Sequence, residues 1–170
     1  MEKTFELERP AEERLGEAPG QRRICFVCTG NTCRSPMAEA VANALVKEGK
    51  TSPLLAVSAG LFAAEGEPIA PHAVEALEHA GIPAVPGRDY HTHLAHTLTA
   101  AEAEGYDLLV GLSTGHVLEL MMRFPQFSQR IVGMPTPIAD PYGGSLATYQ
   151  ECLEQIRAGV AALLAKGEAV

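Results

Sequence analysis

A cysteine and an arginine six positions apart bracket a short loop whose residue types suit phosphoryl transfer. The loop, Cys28 to Ser35, reads CTGNTCRS and follows the apolar run ICFV. A helix-like segment begins directly after it, so the Cys28 thiol would lie near both Arg34 and a helix N-terminus. Both favour the thiolate, which is the nucleophilic form of cysteine. We therefore expect a nucleophile at Cys28; the alternative is a buried cysteine that acts as a small apolar residue.

The rest of the loop is suited to binding a dianion such as a phosphate group. Arg34 carries a planar fork of donors that matches two phosphate oxygens. Gly30 and Asn31 adopt positive φ most easily, which would turn the backbone N–H groups inward as an anion nest. The Ser35 hydroxyl can donate a hydrogen bond to the Cys28 sulfur. The residues predicted to bind the substrate within this loop are Thr29, Gly30, Asn31, Thr32, Cys33 and Ser35.

The other cysteines allow several interpretations. Cys33 lies five residues after Cys28, so the two can form a protective disulfide if both line the loop. Alternatively, Cys33 packs into the start of the helix. Cys25 and Cys28 form a C-x-x-C pair, which in other proteins binds zinc or performs thioredoxin chemistry. Cys25 falls in a predicted buried strand and no second ligand pair has zinc spacing, so we expect neither a metal nor another cofactor.

Phosphoryl transfer also requires an acid that protonates the leaving group. Asp140 is the best candidate, because it lies on a long loop after the last predicted strand and is followed by Pro141. The alternative is that Asp140 only begins a turn. The six histidines form no pair at ligand spacing together with a carboxylate, so a metal site is not expected.

Strand-like and helix-like segments alternate along the chain and predict the scaffold that positions these residues. Short apolar runs predict strands, and apolar positions three and four residues apart predict helices. Thr99 and Glu102 have capping-box spacing, which predicts a short helix. The alternation predicts an α/β fold with a parallel sheet, whose ligand site lies beyond the carboxyl ends of the strands. The predicted strands are 23–27, 54–58, 107–112 and 131–134; the longer helices are 35–48, 71–80, 114–123 and 145–166.

Composition limits the possible partners. A chain of 170 residues, 46% of them hydrophobic, fits one domain, which we place at residues 21–167 after a mobile extension of residues 1–20. The net charge of −8 argues against nucleic-acid binding. No apolar run reaches about 18 residues and no secretory signal begins the chain. We therefore expect no membrane association and a cytoplasmic monomer.

The ordered motifs resemble the low-molecular-weight protein tyrosine phosphatases. The similar region extends from about Arg23 to Leu164. It includes the C-x5-R-S loop, Ser58-Ala59-Gly60, the Gly81-Ile82-Pro83 turn and Asp140-Pro141-Tyr142-Gly143.

The resemblance implies a flavodoxin-like fold, in which helices flank a four-stranded parallel sheet on both faces, and a two-step reaction. Cys28 would attack the substrate to give a cysteinyl-phosphate, while Arg34 and the loop amides hold the phosphoryl group. Asp140 would protonate the leaving group and then help to activate water. Ser58 and His93 match positions that support the loop in the family.

Thr32 narrows the expected substrate. The family's tyrosine phosphatases usually carry a bulky aliphatic residue there, whereas the bacterial protein-arginine phosphatases, which this loop resembles, carry threonine. Threonine leaves room for a guanidinium group, which Asp140 would bind and on which Tyr142 could stack, although that branch often has phenylalanine at this place. Phe62 is another candidate wall of the pocket. The sequence thus favours a phosphatase of phosphoarginine on phosphorylated proteins.

Three other functions remain open. The same mechanism would serve a phosphotyrosine phosphatase. An arsenate reductase would need further redox cysteines, and Cys152 lies in the last predicted helix. A non-catalytic phosphoprotein-binding module would lack Cys28 or Asp140, and both are present.

Overall fold

The computed structural model describes residues 21–168, which form a four-stranded parallel sheet with helices on both faces. The strand order is β2-β1-β3-β4, and each neighbouring pair is parallel. This confirms the predicted α/β fold, while the extension predicted at residues 1–20 lies outside the described residues. The strands are β1 Arg22–Cys28, β2 Leu54–Gly60, β3 Leu108–Gly111 and β4 Ile131–Gly133.

The helices follow the strands in the alternating order that the sequence predicts. The helix that begins after Thr99 differs from expectation in its cap. Thr99 accepts a hydrogen bond from the Glu102 N–H. The Glu102 carboxylate binds His96 and Tyr106 and not the Thr99 backbone N–H. The predicted capping box is therefore half formed. The helices are α1 Arg34–Lys47, α2 Pro71–His79, α3 Ala100–Glu104, α4 Thr114–Arg123 and α5 Leu146–Glu168, with 3-10 turns at Tyr90–Thr92 and Pro125–Arg130.

The sheet separates two hydrophobic cores. Ile24, Phe26 and Cys28 of β1 point into the core formed with α1, α2 and α5. Cys25 and Val27 point into the opposite core, with residues of α3 and α4. Because alternate residues of a strand face opposite sides, Cys25 and Cys28 cannot share a metal ion or form a C-x-x-C redox pair.

Two glycines let neighbouring segments approach the carboxyl edge of the sheet. Strand β2 runs two residues further than predicted, to Gly60, where a Cβ atom would lie 2.8 Å from the Thr29 carbonyl oxygen. A Cβ atom on Gly111 would lie 2.8 Å from the backbone nitrogen of Val117. The first turn of α4 therefore packs directly against the end of β3, beside the loop that follows β1.

No helix within residues 21–168 is both long and apolar enough to cross a membrane.

Candidate active site

Cys28 ends β1, with 3% of its surface exposed, and is held by a hydroxyl group. Its sulfur lies 2.9 Å from Ser35 Oγ. Asn31 Nδ2 donates to the same oxygen at 2.9 Å. Because that bond occupies an acceptor position on Ser35, the Ser35 hydroxyl is free to donate its proton to the sulfur. This is the arrangement that stabilises a thiolate, since a charged acceptor strengthens the hydrogen bond.

Asn31 gives the loop its shape. It is fully buried and has a φ of 58°, the one positive φ among the described residues other than glycine. Its side chain also donates to Ser58 Oγ and accepts from the His96 N–H. The expectation that Gly30 would share this conformation is wrong, because Gly30 is not among the positive-φ glycines. A single left-handed residue, fixed by its own side chain, is enough to turn the loop.

The loop directs its carbonyl groups outward, toward neighbouring segments. Carbonyl oxygens in the middle of the loop accept hydrogen bonds from other segments: Thr29 from the Leu61 and Phe62 N–H groups, Asn31 from His93 Nε2, and Thr32 from the Ala70 N–H. The backbone N–H groups of residues 30–33 have no acceptor within the described part of the chain. Unpaired N–H groups at the start of a helix favour the binding of an anion.

Arg34 and Asp140 meet above the start of α1. Arg34 Nη1 donates to the Ile138 carbonyl at 3.0 Å, and Nη2 lies 3.6 Å from Asp140 Oδ2. Arg34 is buried, whereas 54% of the Asp140 side chain is exposed. Asp140 also accepts from the Tyr142 N–H, which fixes the turn. A buried cation at a helix N-terminus is unfavourable on its own, so a bound dianion would relieve that repulsion.

Cys33 is a free thiol in this structure, and so is Cys28. Cys33 lies immediately before α1, is buried, and has its sulfur 3.3 Å from Tyr149 Oη. Burial raises the pKa of Cys33, against an opposing effect of the Tyr149 hydrogen bond. Of the two interpretations from sequence, the structure therefore shows Cys33 packed at the helix start; the disulfide stays a prediction for the oxidised protein.

An ion pair between Arg88 and the buried Glu39 supports the loop through Ser58. Glu39 of α1 is 6% exposed and accepts from Ser58 Oγ at 2.8 Å and from two nitrogens of Arg88. Ser58 in turn accepts from Asn31. Sequence analysis missed Glu39 and Arg88, because a glutamate in a helix and an arginine in a turn both look like surface residues.

His93 supports the loop directly, as the family resemblance implies. Its Nε2–H donates to the Asn31 carbonyl at 2.8 Å. Burial lowers the pKa of His93, against an opposing effect of the hydrogen bond to Asn31.

His116, in the first turn of α4, is a second residue that sequence analysis missed. Its Nε2 lies 2.9 Å from Thr29 Oγ1, and its Nδ1 accepts from the Ser113 N–H. Burial, followed by the Arg34 cation, lowers the pKa of His116 to about 4, against an opposing effect of Asp140. The sequence signal that could have identified His116 is its position three residues after Ser113, a serine that follows a strand.

The candidate substrate-binding side chains differ in exposure. Tyr142 is 77% exposed and Phe62 is also exposed, with the Arg123 guanidinium 4.1 Å from its ring centre. Thr32 is half-buried, and its hydroxyl lies 3.7 Å from the Cys33 sulfur. Both aromatic rings are therefore free to contact a ligand.

The geometry combines a nucleophile, an anion site and a carboxylate at one sheet edge. No group of three or more metal-ligating side chains occurs among residues 21–168. The chemistry available to this arrangement is thiolate attack on a tetrahedral dianion, with Asp140 placed to exchange a proton.

The chain is similar to known phosphatases. A protein-arginine-phosphatase of Geobacillus stearothermophilus is 35% identical over 142 residues, which cover 79% of this chain and 88% of the relative. A low molecular weight protein-tyrosine-phosphatase of Streptomyces coelicolor is 35% identical over 157 residues, covering 84% and 92%.

Among solved structures, a mutant of the YwlE arginine phosphatase with a phosphorylated active site serine has a TM-score of 0.77. It is 28% identical, and the match covers 86% of this chain and 95% of that one. Residues 23–169 match the family described as low molecular weight phosphotyrosine protein phosphatase. The chain therefore belongs to the low molecular weight phosphotyrosine protein phosphatase family.

Proposed function

We propose that this protein is a cysteine-dependent phosphatase that hydrolyses phosphoarginine on proteins. The observation that carries the proposal is the loop itself, in which Cys28 accepts a hydrogen bond from Ser35 and Thr32 stands beside the anion site. The proposed partners are phosphorylated proteins of the cytoplasm, and the proposed working form is a monomer.

In the first step, the Cys28 thiolate attacks phosphorus as the bond to the leaving nitrogen breaks. Arg34 and the N–H groups of residues 30–33 bind the three equatorial oxygens, whose charge they stabilise. Asp140 donates its proton to the departing nitrogen. The exposure of the Asp140 side chain supports this role, since an acid must reach the substrate.

In the second step, water cleaves the cysteinyl-phosphate. Asp140, now a carboxylate, accepts a proton from the water as its oxygen attacks phosphorus and the P–S bond breaks. Inorganic phosphate leaves and the Cys28 thiolate is restored. The phosphorylated active site serine in the YwlE mutant supports a covalent intermediate in that relative.

Thr32 supports phosphoarginine as the substrate. A threonine is shorter than isoleucine, so it leaves room for a planar guanidinium group beside the phosphorus. Asp140 lies at the same mouth, and the carboxyl oxygen that carries no proton can accept a hydrogen bond from the guanidinium group. The protein-arginine-phosphatase name of the Geobacillus relative is consistent with this choice.

Phosphotyrosine is the second candidate substrate. The exposed rings of Tyr142 and Phe62 are suited to packing against a phenol. The Streptomyces relative, equally identical to this chain, is named a tyrosine phosphatase. The same mechanism would apply, with oxygen as the leaving atom.

Arsenate reduction is disfavoured by the state of Cys152. This thiol is buried and donates weakly to the Ala139 carbonyl. Burial raises the pKa of Cys152 to about 12, against an opposing effect of Arg34. A thiol held in its neutral form is a poor relay nucleophile.

Phosphate release from a phosphoarginine peptide tests the proposal. We expect release by the wild-type protein and none by Cys28→Ala. Cys25→Ala is the matched control, because Cys25 lies on the opposite face of the sheet; it should keep activity. Release by Cys28→Ala, or its absence from the wild type, would refute the proposal.

A further inference from the structure

Thr29 and His116 form a contact at the active-site mouth that the proposed mechanism does not use. Thr29 directly follows Cys28, and its side chain is exposed. His116 is 6% exposed and belongs to a different element, α4. The two side chains lie 2.9 Å apart although they are 87 residues apart in sequence.

The hydrogen bonds around His116 fix its tautomer. Its Nδ1 accepts from the backbone N–H of Ser113 at 3.1 Å, so that nitrogen carries no proton, and the Ser113 hydroxyl, 2.8 Å away, donates to it as well. The ring proton of the neutral histidine must then be on Nε2. His116 therefore donates to Thr29 Oγ1, and the direction of the bond is set by the start of α4.

This direction determines what the Thr29 hydroxyl can do. Because one lone pair of Oγ1 is occupied by His116, the hydroxyl proton points away from the histidine. Hydrogen bonds in a chain also polarise one another, which strengthens the second donor. The nearby charged groups that shift the pKa of His116 are Arg34 and Asp140. His116 therefore lies close to the same active-site mouth.

We propose that His116 is a positioning residue, which orients the Thr29 hydroxyl as a hydrogen-bond donor to the leaving group and then to the water that replaces it. The dianion itself is bound by Arg34 and the loop N–H groups. His116 should therefore affect turnover more than anion binding. The inference rests on the proposed phosphatase reaction but not on the choice between phosphoarginine and phosphotyrosine.

A double-mutant cycle on para-nitrophenyl phosphate tests this role. We expect Thr29→Val and His116→Ala each to lower kcat about threefold to tenfold, the range for one lost hydrogen bond. The double variant should be no slower than the slower single variant, because both changes remove the same donor. The inhibition constant of inorganic phosphate should stay within about twofold, as expected if the loop geometry is preserved.

Two further variants separate positioning from stability. His116→Gln can accept from the Ser113 N–H and donate to Thr29, so it should restore most of kcat. Thr99→Ala removes the cap of α3, which bonds to neither Thr29 nor His116, and should lower stability without lowering kcat.

The possible outcomes are distinct. If the wild-type protein releases phosphate from neither para-nitrophenyl phosphate nor a phosphoarginine peptide, the proposed function fails. If it is active but the two losses multiply, or phosphate inhibition weakens in parallel with kcat, or His116→Gln is as slow as His116→Ala, the positioning role is overturned.

Discussion

The hydroxyl oxygen of Ser35 lies 2.9 Å from the sulfur of Cys28. The same oxygen accepts a hydrogen bond from Asn31, which also donates to Ser58. Ser58 donates to the buried Glu39. The Cys28 thiol is thus held by a continuous chain of side chains that reaches from the loop into the first helix.

Removing the Ser35 hydroxyl should slow thiolate chemistry. A hydrogen bond to a charged group stabilises it by about 1.5–3 kcal/mol, so Ser35→Ala should lower kcat by roughly tenfold or more. The rate of alkylation by iodoacetate at fixed pH should fall as well, measured by mass spectrometry. Ser145→Ala, on the surface, is the control; equal alkylation rates in both variants would contradict the assigned hydrogen bond.

Replacing Asp140 should matter most for poor leaving groups. Asp140→Asn keeps the shape but cannot donate a carboxyl proton, so release of alkyl alcohols should slow about 10²-fold or more. para-Nitrophenol needs little protonation and should be affected less in the first step. Kinetics with a series of leaving groups measure this difference. A uniform loss across the series would remove Asp140 from the acid role.

Enlarging residue 32 should change substrate preference. Thr32→Ile fills the space beside the phosphorus and should shift the ratio of kcat/KM values from phosphoarginine toward phosphotyrosine. Thr32→Ser keeps the hydroxyl and adds no volume, so it should retain the preference. Peptides of one sequence with either phosphorylated residue provide the measurement. An unchanged ratio in Thr32→Ile would show that residue 32 does not select the substrate.

Breaking the Glu39–Arg88 pair should destabilise the fold. Arg88→Met leaves the buried Glu39 carboxylate without its cation, and such losses cost about 3–5 kcal/mol when both partners are buried. Arg88 is about a third exposed, so we expect about 2–3 kcal/mol by urea unfolding. Arg157→Met, which removes the exposed pair with Glu154, should cost less than about 0.5 kcal/mol. Similar costs for the two variants would contradict the assigned burial.

His116 should make stability depend on pH. Its pKa is lowered from 6.5 to about 4 in the folded protein, first by burial and then by Arg34. As pH falls, the unfolded chain protonates first, so the contribution of the neutral histidine is present above about pH 6.5 and is lost toward pH 4.

The variant His116→Gln has no group that titrates there. The free energy of unfolding of wild type relative to this variant should therefore fall by roughly 3 kcal/mol between pH 7 and pH 4. The other histidines are common to both proteins and cancel. A constant difference across this range would contradict the buried, neutral state of His116.

Sequence analysis predicted the elements whose patterns are local. Helix α4 was predicted at its observed bounds, 114–123, because its apolar spacing and flanking residues are continuous in the chain. The loop motif likewise identified Cys28, Arg34 and Ser35 as neighbours. These predictions depend on residues that are close in sequence.

The parts that sequence analysis missed depend on contacts between distant segments. Glu39 meets Arg88 across 49 residues, and Thr29 meets His116 across 87. These side chains meet only in the folded protein, where the crossover connections bring distant segments to one edge of the sheet. Charged and polar residues in isolation indicate solvent exposure, so no local pattern could reveal these pairs.

The most direct test of the account compares two substrates with the wild-type protein. One peptide sequence would carry either phosphoarginine or phosphotyrosine, and kcat/KM would be measured for each. The account predicts a value for phosphoarginine more than about tenfold higher, equivalent to about 1.4 kcal/mol in transition-state stabilisation. An equal or higher value for phosphotyrosine would contradict it.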